Sequence, residues 1–265
     1  IYYANNSLDL SDSNNWTSVD FSPNYKAVDY GPGVAWGNNV WIAGGIAIAD
    51  ADSYITLNRS TDGADSWSPI DEGNTVNDSS MAVCYKLEST WFFGHRAHIW
   101  KSIDNGATWS DLGALVGGNK DVRSMAYDGT GRWVAVVNSD LIFYSDDDWA
   151  SNTEASNGAW TGTWHPNGVI YAKGNINKWV VCGNNGRLAY SSDGASWSTI
   201  WDGLDPDWGT THIRAIATDD TTIVIVGDSG KIAYSTTGTN FTIVTTGLST
   251  SFKTITSDII GAGLR

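Results

Sequence analysis

The stretch Arg187-Leu188-Ala189-Tyr190-Ser191-Ser192-Asp193-Gly194-Ala195-Ser196-Trp197 recurs in altered copies along the chain, and it decides the fold. Each copy has a short apolar segment, a turn that carries Asp or Gly, and then an aromatic residue. Asp accepts hydrogen bonds from its own turn, and Gly adopts the positive φ that tight turns need. The stretch therefore predicts a β-hairpin whose aromatic side chain packs against the next copy. The related stretches are Lys231–Phe241, Ser102–Trp109 and Ser60–Trp67, with eroded copies at Tyr144–Trp149 and Ser11–Trp16.

The spacing of the copies predicts the architecture. The aromatic residues that close them are 40 to 51 residues apart, a period typical of propeller blades with four strands each. Counting from Phe241 through the C-terminus into the N-terminus adds one more period. We therefore expect an all-β fold, a six-bladed β-propeller with four antiparallel strands per blade. The closing residues are Trp16, Trp67, Trp109, Trp149, Trp197 and Phe241.

The register at the two chain ends predicts how the ring closes. Val226–Ser235 aligns without a gap on Ile260–Arg265 continued by Ile1–Ala4. The last residues would then be the inner strands of a closing blade shared by the N- and C-termini, which removes free sheet edges. We expect one domain, residues 1–265. Its blades one to six are expected at approximately 250–265 plus 1–20, 25–71, 79–112, 121–164, 167–200 and 211–245.

The repeat resembles the Asp-box, or BNR, repeat of sialidase-like β-propellers, whose pattern is Ser-x-Asp-x-Gly-x-Thr-Trp. Ser102–Trp109 matches this pattern in full. The resemblance implies a folding element at the corner of a blade and no chemistry. The repeat style is also similar to that of phage structural and tail proteins. The residues that the resemblance marks as structural are Asp62, Trp67, Asp104, Gly106, Trp109, Asp193, Gly194 and Trp197.

Composition limits the partners. The net charge is −14, from 15 Lys and Arg against 29 Asp and Glu, whereas nucleic-acid binding needs a basic stripe. No apolar run reaches the roughly 20 residues that cross a bilayer, which argues against membrane insertion. An acidic surface rich in Asn, Ser and Thr is typical of an extracellular or virion protein, although solubility alone also favours it. Cys84 and Cys182 are expected to be buried thiols.

Cations recur at one position when the inner strands are superposed. They are expected near the mouth of the central channel, where they would bind a carboxylate, sulfate or phosphate of a ligand. The alternative is that each cation bonds carbonyls or an acid at a blade junction. The four cations are Lys26, Arg123, Arg214 and Lys253.

The long connections after blades four and five combine aromatic and polar residues. We expect them on the face opposite the Asp-box turns, and loops on a rigid scaffold commonly carry function. Trp rings stack on sugars while carboxylates and amides bind the hydroxyls; alternatively, these Trp residues pack between blades. The residues are Trp160, Trp164, His165, Trp201, Asp205, Asp207, Trp208 and His212.

Metal ligands are sparse in the sequence. His95 and His98 lie near one another without an evident third ligand, so a structural role is favoured. Asp50 and Asp52 on an expected long loop, Gly45–Ser53, lack the spacing of an EF-hand, and so does the run Asp146–Asp148. No cofactor is predicted, and calcium is left as an alternative.

Sialidases, which the repeat resembles, use three arginines, a Tyr/Glu pair, an Asp acid/base and an early Arg-Ile-Pro motif. This sequence has no Arg-Ile-Pro, and it offers no convincing pair of carboxyl groups for glycoside hydrolysis. These features favour a non-catalytic recognition or adhesion module that binds a glycan or a protein ligand. One alternative is a glycoside hydrolase, either sialidase-like or with an inverting arrangement that uses Asp205 or Asp207. The other is a protein-assembly scaffold similar to the photosystem II assembly propeller.

Overall fold

The computed structural model describes residues 2–3, 17–18, 25–26, 33–49, 52–70, 82–118, 120–156, 165–203, 205–244 and 246–252. Their regular structure is β-strand, apart from two short 3₁₀ turns. Among the described residues no helix is long and apolar enough to span a membrane. The chain divides into two compact units, Ile1–Phe93 with Trp100–Asp111, and Gly94–Ile99 with Leu112–Arg265.

Two sheets belong to the first unit. Strand β1 (Tyr2–Tyr3) pairs antiparallel with β2 (Thr17–Ser18). The second sheet has the order β3-β5-β6-β7, with β4 also paired to β5. Its strands are β3 (Tyr25–Lys26), β4 (Val34–Gly37), β5 (Val40–Ala49), β6 (Asp52–Ser60) and β7 (Ser68–Ile70).

The second sheet corrects the expected loop of blade two. Residues 34–44 form two paired strands, because Asn38 and Asn39 adopt φ of 47° and 60° and reverse the chain between β4 and β5. The expected loop Gly45–Ser53 is largely strand: β5 continues to Ala49, which pairs with Asp52. The apolar residues 46–49 extend the hairpin, so no long loop holds Asp52. Asp50 lies outside the described residues.

Four four-stranded sheets follow, each antiparallel and in sequence order. Three of them, which we call blades four, five and six, belong to the second unit. The strands of the sheet that precedes blade four are β8 (Ala82–Leu87), β9 (Thr90–His95), β10 (His98–Ser102) and β11 (Ser110–Ala114). Blade four comprises β12 (Val122–Tyr127), β13 (Trp133–Val137), β14 (Leu141–Ser145) and β15 (Thr153–Glu154). Blade five comprises β16 (Pro166–Ala172), β17 (Lys178–Gly183), β18 (Arg187–Ser191) and β19 (Ser198–Asp202). Blade six comprises β20 (Ile213–Thr218), β21 (Ile223–Gly227), β22 (Ile232–Ser235) and β23 (Thr242–Val244).

The core of the second unit lies between neighbouring blades. Val134 and Ile142 of blade four share one buried cluster with Trp179 and Val181 of blade five. A second cluster joins blade five to blade six. Each fully buried apolar side chain in these two clusters stabilises the fold by about 1.5–3 kcal/mol. The two interfaces between blades are therefore expected to contribute strongly to the stability of the second unit. The all-β prediction with antiparallel sheets holds throughout the described residues. The count of six blades and the shared closing blade remain predictions, since residues 253–265 lie outside them.

The turns that follow the third strands share one hydrogen-bond pattern. In the best copy, Ser102 Oγ donates to Asp104 Oδ1 at 2.8 Å and accepts from Gly106 N at 2.9 Å. Asp104 also accepts from the Thr108 amide at 2.9 Å, and Trp109 Nε1 donates to the Gly106 carbonyl at 3.2 Å. We call these the Ser–Asp turns. They contain the pairs Ser60/Asp62, Ser102/Asp104, Ser145/Asp147 and Ser191/Asp193.

The turn of blade four corrects the register expected from Trp149. Ser145 Oγ bonds Asp147, and Asp147 Oδ1 accepts from the Ser151 amide at 2.9 Å, so the copy has full length. Trp149 then occupies the glycine position, with φ of 66° and its amide 2.8 Å from Ser145 Oγ. The position of the closing aromatic is held by Asn152. The Trp149 ring is buried, and its centroid lies 6.5 Å from that of Trp133.

Candidate functional site

One end of blades four, five and six carries Arg123 and Arg214, the described members of the cation set, together with the two predicted histidines. Val122, at the start of β12, pairs with Val137, at the end of β13. The turn after β13 therefore lies at the same end as Val122. The Ser–Asp turn after β14 lies at the other end, since successive strands alternate in direction. We call the first end the loop end.

A β-bulge opens the first strand of each of these blades at the loop end. The register shifts between Val122 and Ser124, between Pro166 and Gly168, and between Ile213 and Ala215. The bulged residues are Arg123, Asn167 and Arg214, which we call the bulge row. Bulges re-aim a side chain and are frequent beside functional sites. The bulge row therefore places long polar side chains at one repeat position in three successive blades.

The bulge row is joined across blades by hydrogen bonds. Arg123 Nη1 lies 3.5 Å from Asn167 Oδ1. Asn167 Nδ2 donates to the carbonyl of Ile213 at 2.8 Å and to Asn184 Oδ1 at 2.9 Å. Asn167 thus connects the site of Arg123 to the strand that carries Arg214. Asn167 was not among the predicted site residues, because that set included only cations. It does occupy the same position as Arg123 and Arg214 when the first strands of the blades are superposed.

Arg214 forms a fork with Asp228, which lies at the end of β21 in its own blade. Nε donates to Oδ1 at 3.0 Å and Nη2 donates to Oδ2 at 2.6 Å. The hydrogen bond from Arg214 is the main cause that lowers the pKa of Asp228. Arg214 therefore bonds an acid, as the alternative expected, but the acid belongs to its own blade and not to a blade junction. One edge of its guanidinium is used by Asp228, and a quarter of the side chain is exposed.

Two predicted members of the cation set lie beyond what the structure describes in full. Lys26 is in β3, and its side chain is outside the described residues, as is all of Lys253. The adjacent Phe252 is described, and its amide donates to the Gly227 carbonyl at 3.1 Å. The prediction that four cations share a channel mouth remains a prediction.

Both predicted histidines lie directly before a first strand at the loop end. His165 Nδ1 accepts from the amide of Ser139 at 3.2 Å, and His212 Nδ1 accepts from the amide of Asn185 at 2.9 Å. Ser139 and Asn185 belong to turns of the preceding blades. Burial lowers the pKa of His212, Arg214 lowers it further, and Asp228 opposes the shift.

The connection after blade five folds as part of the core. Trp208 is fully buried, and Trp201 is 9% exposed. Their rings stack with centroids 5.5 Å apart, and Trp208 Nε1 donates to the Thr211 carbonyl at 2.9 Å. Neither ring offers a face for stacking on a sugar, so packing between blades describes these two residues. The predictions for Trp160 and Trp164 fall outside the described residues.

The two aspartates of this connection have different surroundings. Asp205 Oδ1 accepts from the amides of Asp207 and Trp208, at 3.0 and 2.7 Å, so Asp205 shapes the loop. Asp207 is exposed, and its carbonyl accepts from Lys231 Nζ at 2.9 Å. The two carboxylates thus lie on one short turn, one bonded to loop amides and the other exposed.

In the part of the chain that the structure describes, no group of three candidate metal ligands is present. Each aspartate of the run 146–148 already accepts hydrogen bonds within the protein. Asp146 forms a bidentate pair with Arg132, Asp147 accepts from the Ser151 amide in a Ser–Asp turn, and Asp148 accepts from Trp133 Nε1 at 3.0 Å. His95 is buried at the end of β9. Cys182 is a free buried thiol whose pKa burial raises to about 12.

A groove of about 370 Å³ lies at the opposite end, between blades four and five. Its polar groups bond one another. Arg132 forks Asp146 and also donates to the Asp193 carbonyl, while Asp128 accepts from three backbone amides of residues 130–132. We therefore assign the groove to the joint between the two blades. The residues lining it are Asp128, Thr130, Gly131, Arg132, Asp146, Tyr171, Trp179, Ser192 and Asp193.

No protein-family model matches the chain, and no curated protein matches it. Solved structures are similar to it. "YCF48 bound to D1 peptide" is 16% identical, over 87% of this chain and 71% of that chain, with a TM-score of 0.61. YCF48 from Cyanidioschyzon merolae is 12% identical, over 86% of this chain and 90% of that one, with a TM-score of 0.56. The GH74 enzyme of Niastella koreensis is 16% identical, over 83% of this chain and 38% of that one, with a TM-score of 0.63.

The fold is a β-propeller. At these identities the similarity establishes the fold alone, and a propeller fold supports unrelated functions. The chain spans well under half the length of the GH74 enzyme that it matches.

Proposed function

We propose that this propeller is a non-catalytic recognition module whose ligand, a glycan or a protein segment, binds at the loop end of blades four, five and six. The bulge row carries this proposal. Arg123 and Arg214, at one position of blades four and six, supply guanidinium donors on a rigid scaffold. Asn167 lies between them and bonds both Arg123 and the Ile213 carbonyl, so it holds the row together. Guanidinium groups bind carboxylates and other planar anions in fork geometry, so we expect the ligand to carry an anionic group.

The state of the carboxyl groups supports binding rather than hydrolysis. A glycosidase needs a carboxylic acid whose pKa is raised, so that it can donate a proton to the leaving oxygen. Among the described carboxyl groups, the clear pKa shifts are downward, and the groups accept hydrogen bonds from turns or from Arg. The residues concerned are Asp62, Asp104, Asp128, Asp146, Asp147, Asp193, Asp219 and Asp228.

A protein ligand has support from one structural neighbour, whose name states that it binds a peptide. The polar side chains at the loop end support a glycan ligand. Trp201 and Trp208 add no support, because both rings are buried. We further propose an extracellular or virion location, which the net charge of −14 favours.

The test begins with two arrays, one of glycans and one of peptides that includes acidic and C-terminal sequences. The strongest probe is then titrated against Arg123→Gln and Arg214→Gln. Arg132→Gln is the matched control. Arg132 forms a bidentate pair with Asp146 at the opposite end of the blades. Its 2.6 Å contact and the 25% exposure of the Arg side chain equal those of Arg214 with Asp228, although Asp146 is 56% exposed and Asp228 is 22% exposed.

Loss of one charged hydrogen bond costs about 1.5–3 kcal/mol, or roughly 10- to 150-fold in Kd. We expect that loss for at least one loop-end variant and a change below about threefold for Arg132→Gln. Equal losses in all three variants would show that net charge, and not the bulge row, governs binding.

A glycoside hydrolase is the second candidate, because a GH74 enzyme shares the fold. Fluorogenic glycosides incubated with the wild-type chain would reveal it. Turnover that Asp205→Asn or Asp207→Asn abolishes would replace our proposal with catalysis at the connection after blade five. A protein-assembly scaffold, the third candidate, would instead bind protein and no glycan.

A further inference from the structure

The starts of blades five and six, and the described segment 246–252 that follows blade six, each place a hydrogen-bond acceptor on a turn of the preceding blade. His165 Nδ1 accepts from Ser139 N and His212 Nδ1 accepts from Asn185 N. The equivalent residue two positions before Lys253 is Ser251, whose Oγ accepts from Ser229 N at 3.4 Å. The third position shows that a non-titrating side chain can fill the same role.

The acceptor holds a turn in a strained conformation. Asn185 has φ of 57°, in the left-handed region, and sits in the 3₁₀ turn Asn184–Gly186. Asn184 Oδ1 in turn accepts from Asn167 Nδ2 at 2.9 Å. His212 is therefore linked through one turn to the centre of the bulge row.

The hydrogen bond from Asn185 N to His212 Nδ1 requires a neutral imidazole. A backbone N–H can only donate, so Nδ1 must carry a lone pair and the ring proton must reside on Nε2. The imidazolium has donors at both nitrogens and no acceptor. Protonation would therefore replace the contact with Asn185 N by two opposed donors.

The charges around His212 oppose protonation on balance. Arg214 follows two residues along its own strand, and Asp228 lies on the turn after β21. The turn Asn184–Gly186 of blade five contributes no titratable side chain. Burial and Arg214 disfavour the imidazolium, and the carboxylate of Asp228 favours it. Because both carboxylate oxygens of Asp228 already accept hydrogen bonds from Arg214, Asp228 stabilises a second cation only weakly.

We propose that His212 is a pH-sensitive latch between blades five and six, closed when the imidazole is neutral and released when it is protonated. Release frees the Asn184–Gly186 turn and loosens Asn167, so that ligand binding at the loop end weakens in acid. The effect on ligand binding rests on the proposed function, whereas the latch itself does not. Below the pKa of His212, the neutral fraction that can hold the turn falls about tenfold per pH unit.

NMR of the ¹⁵N-labelled full chain from pH 8 to pH 5 tests the latch without any ligand. We expect the His212 ring and the Asn185 amide to shift with one shared midpoint. The Gly106 amide, which is held by Ser102 Oγ in a Ser–Asp turn, should not follow that midpoint. His212→Asn, whose Oδ1 can replace Nδ1, and His212→Ser, which supplies the same hydroxyl acceptor as Ser251, should both abolish the pH response of Asn185.

Two results would overturn the latch: an Asn185 amide that stays constant while the His212 ring titrates, or the same Asn185 response in His212→Asn. Failure of both variants to fold would leave the wild-type titration as the decisive measurement. A working latch with no ligand at the loop end would refute the proposed function alone. In that case the arrays would be negative while the two NMR midpoints coincide.

Discussion

Replacing Trp208 with alanine tests whether Trp208 is a core residue or a residue that stacks on a ligand. The indole is fully buried, stacks on Trp201 at 5.5 Å and donates to the Thr211 carbonyl. Replacing a buried aromatic with alanine costs about 3–5 kcal/mol, of which the lost hydrogen bond contributes about 1 kcal/mol. We therefore expect Trp208→Ala to lower the free energy of unfolding by about 3–5 kcal/mol. Trp208→Phe keeps most of the ring and should lose about 1–3 kcal/mol.

The assay is guanidinium unfolding followed by circular dichroism, with the midpoint and the slope compared among variants. Trp36→Ala is the control, because 41% of Trp36 is exposed and its loss should cost less than about 1 kcal/mol. A Trp208→Ala protein within about 0.5 kcal/mol of wild type would refute the assignment of Trp208 to the core. Loss of ligand binding in that equally stable protein would restore the stacking hypothesis.

Three further predictions concern packing, acid stability and thiol reactivity. Gly186→Ala places Cβ 1.9 Å from the Gly209 carbonyl oxygen and should lower the free energy of unfolding by more than about 2 kcal/mol. Gly209 has the same φ, but no atom lies within 4 Å of an added Cβ, so Gly209→Ala should cost about half of that in the same unfolding assay. Burial raises the pKa of Asp104, but hydrogen bonds from Thr108 and neighbouring groups outweigh it and hold the pKa at about 2. The stability that Asp104 contributes is therefore complete above about pH 4 and lost as pH falls toward 2, a slope that Asp104→Asn should flatten in acid melts. Cys182, with its pKa raised to about 12, should react with Ellman's reagent only at the rate of unfolding when measured in a Cys84→Ser background; a fast reaction under native conditions would contradict its burial.

The hairpin repeat could be predicted because its information is local. Ser102, Asp104 and Thr108 satisfy one another within a single turn, so a short pattern suffices. The same logic explains why the register expected from Trp149 is wrong, since an aromatic side chain is a weaker anchor than the turn's own hydrogen bonds. Ser145 and Ser151 bond Asp147 and fix the register, and the sequence contains these hydroxyl positions.

The candidate site was less predictable because its contacts cross strands and blades. Arg214 meets Asp228 only because β20 and β21 pair antiparallel with a bulge between Ile213 and Ala215. Nothing in the local sequence of Arg214 specifies that partner. Trp208 lies outside the repeat positions, yet its loop folds back onto Trp201 and buries it. Aromatic residues outside a repeat are therefore weak evidence for a ligand site.

Hydrogen-exchange footprinting of the full chain with its array-selected ligand tests the central claim most directly. The proposal predicts that the ligand protects the backbone at residues 121–124, 165–168 and 212–215, at the loop end. It also predicts unchanged exchange in the Ser–Asp turns at 145–151 and 191–197. Protection confined to those turns, with the bulge row unaffected, would contradict recognition at the loop end.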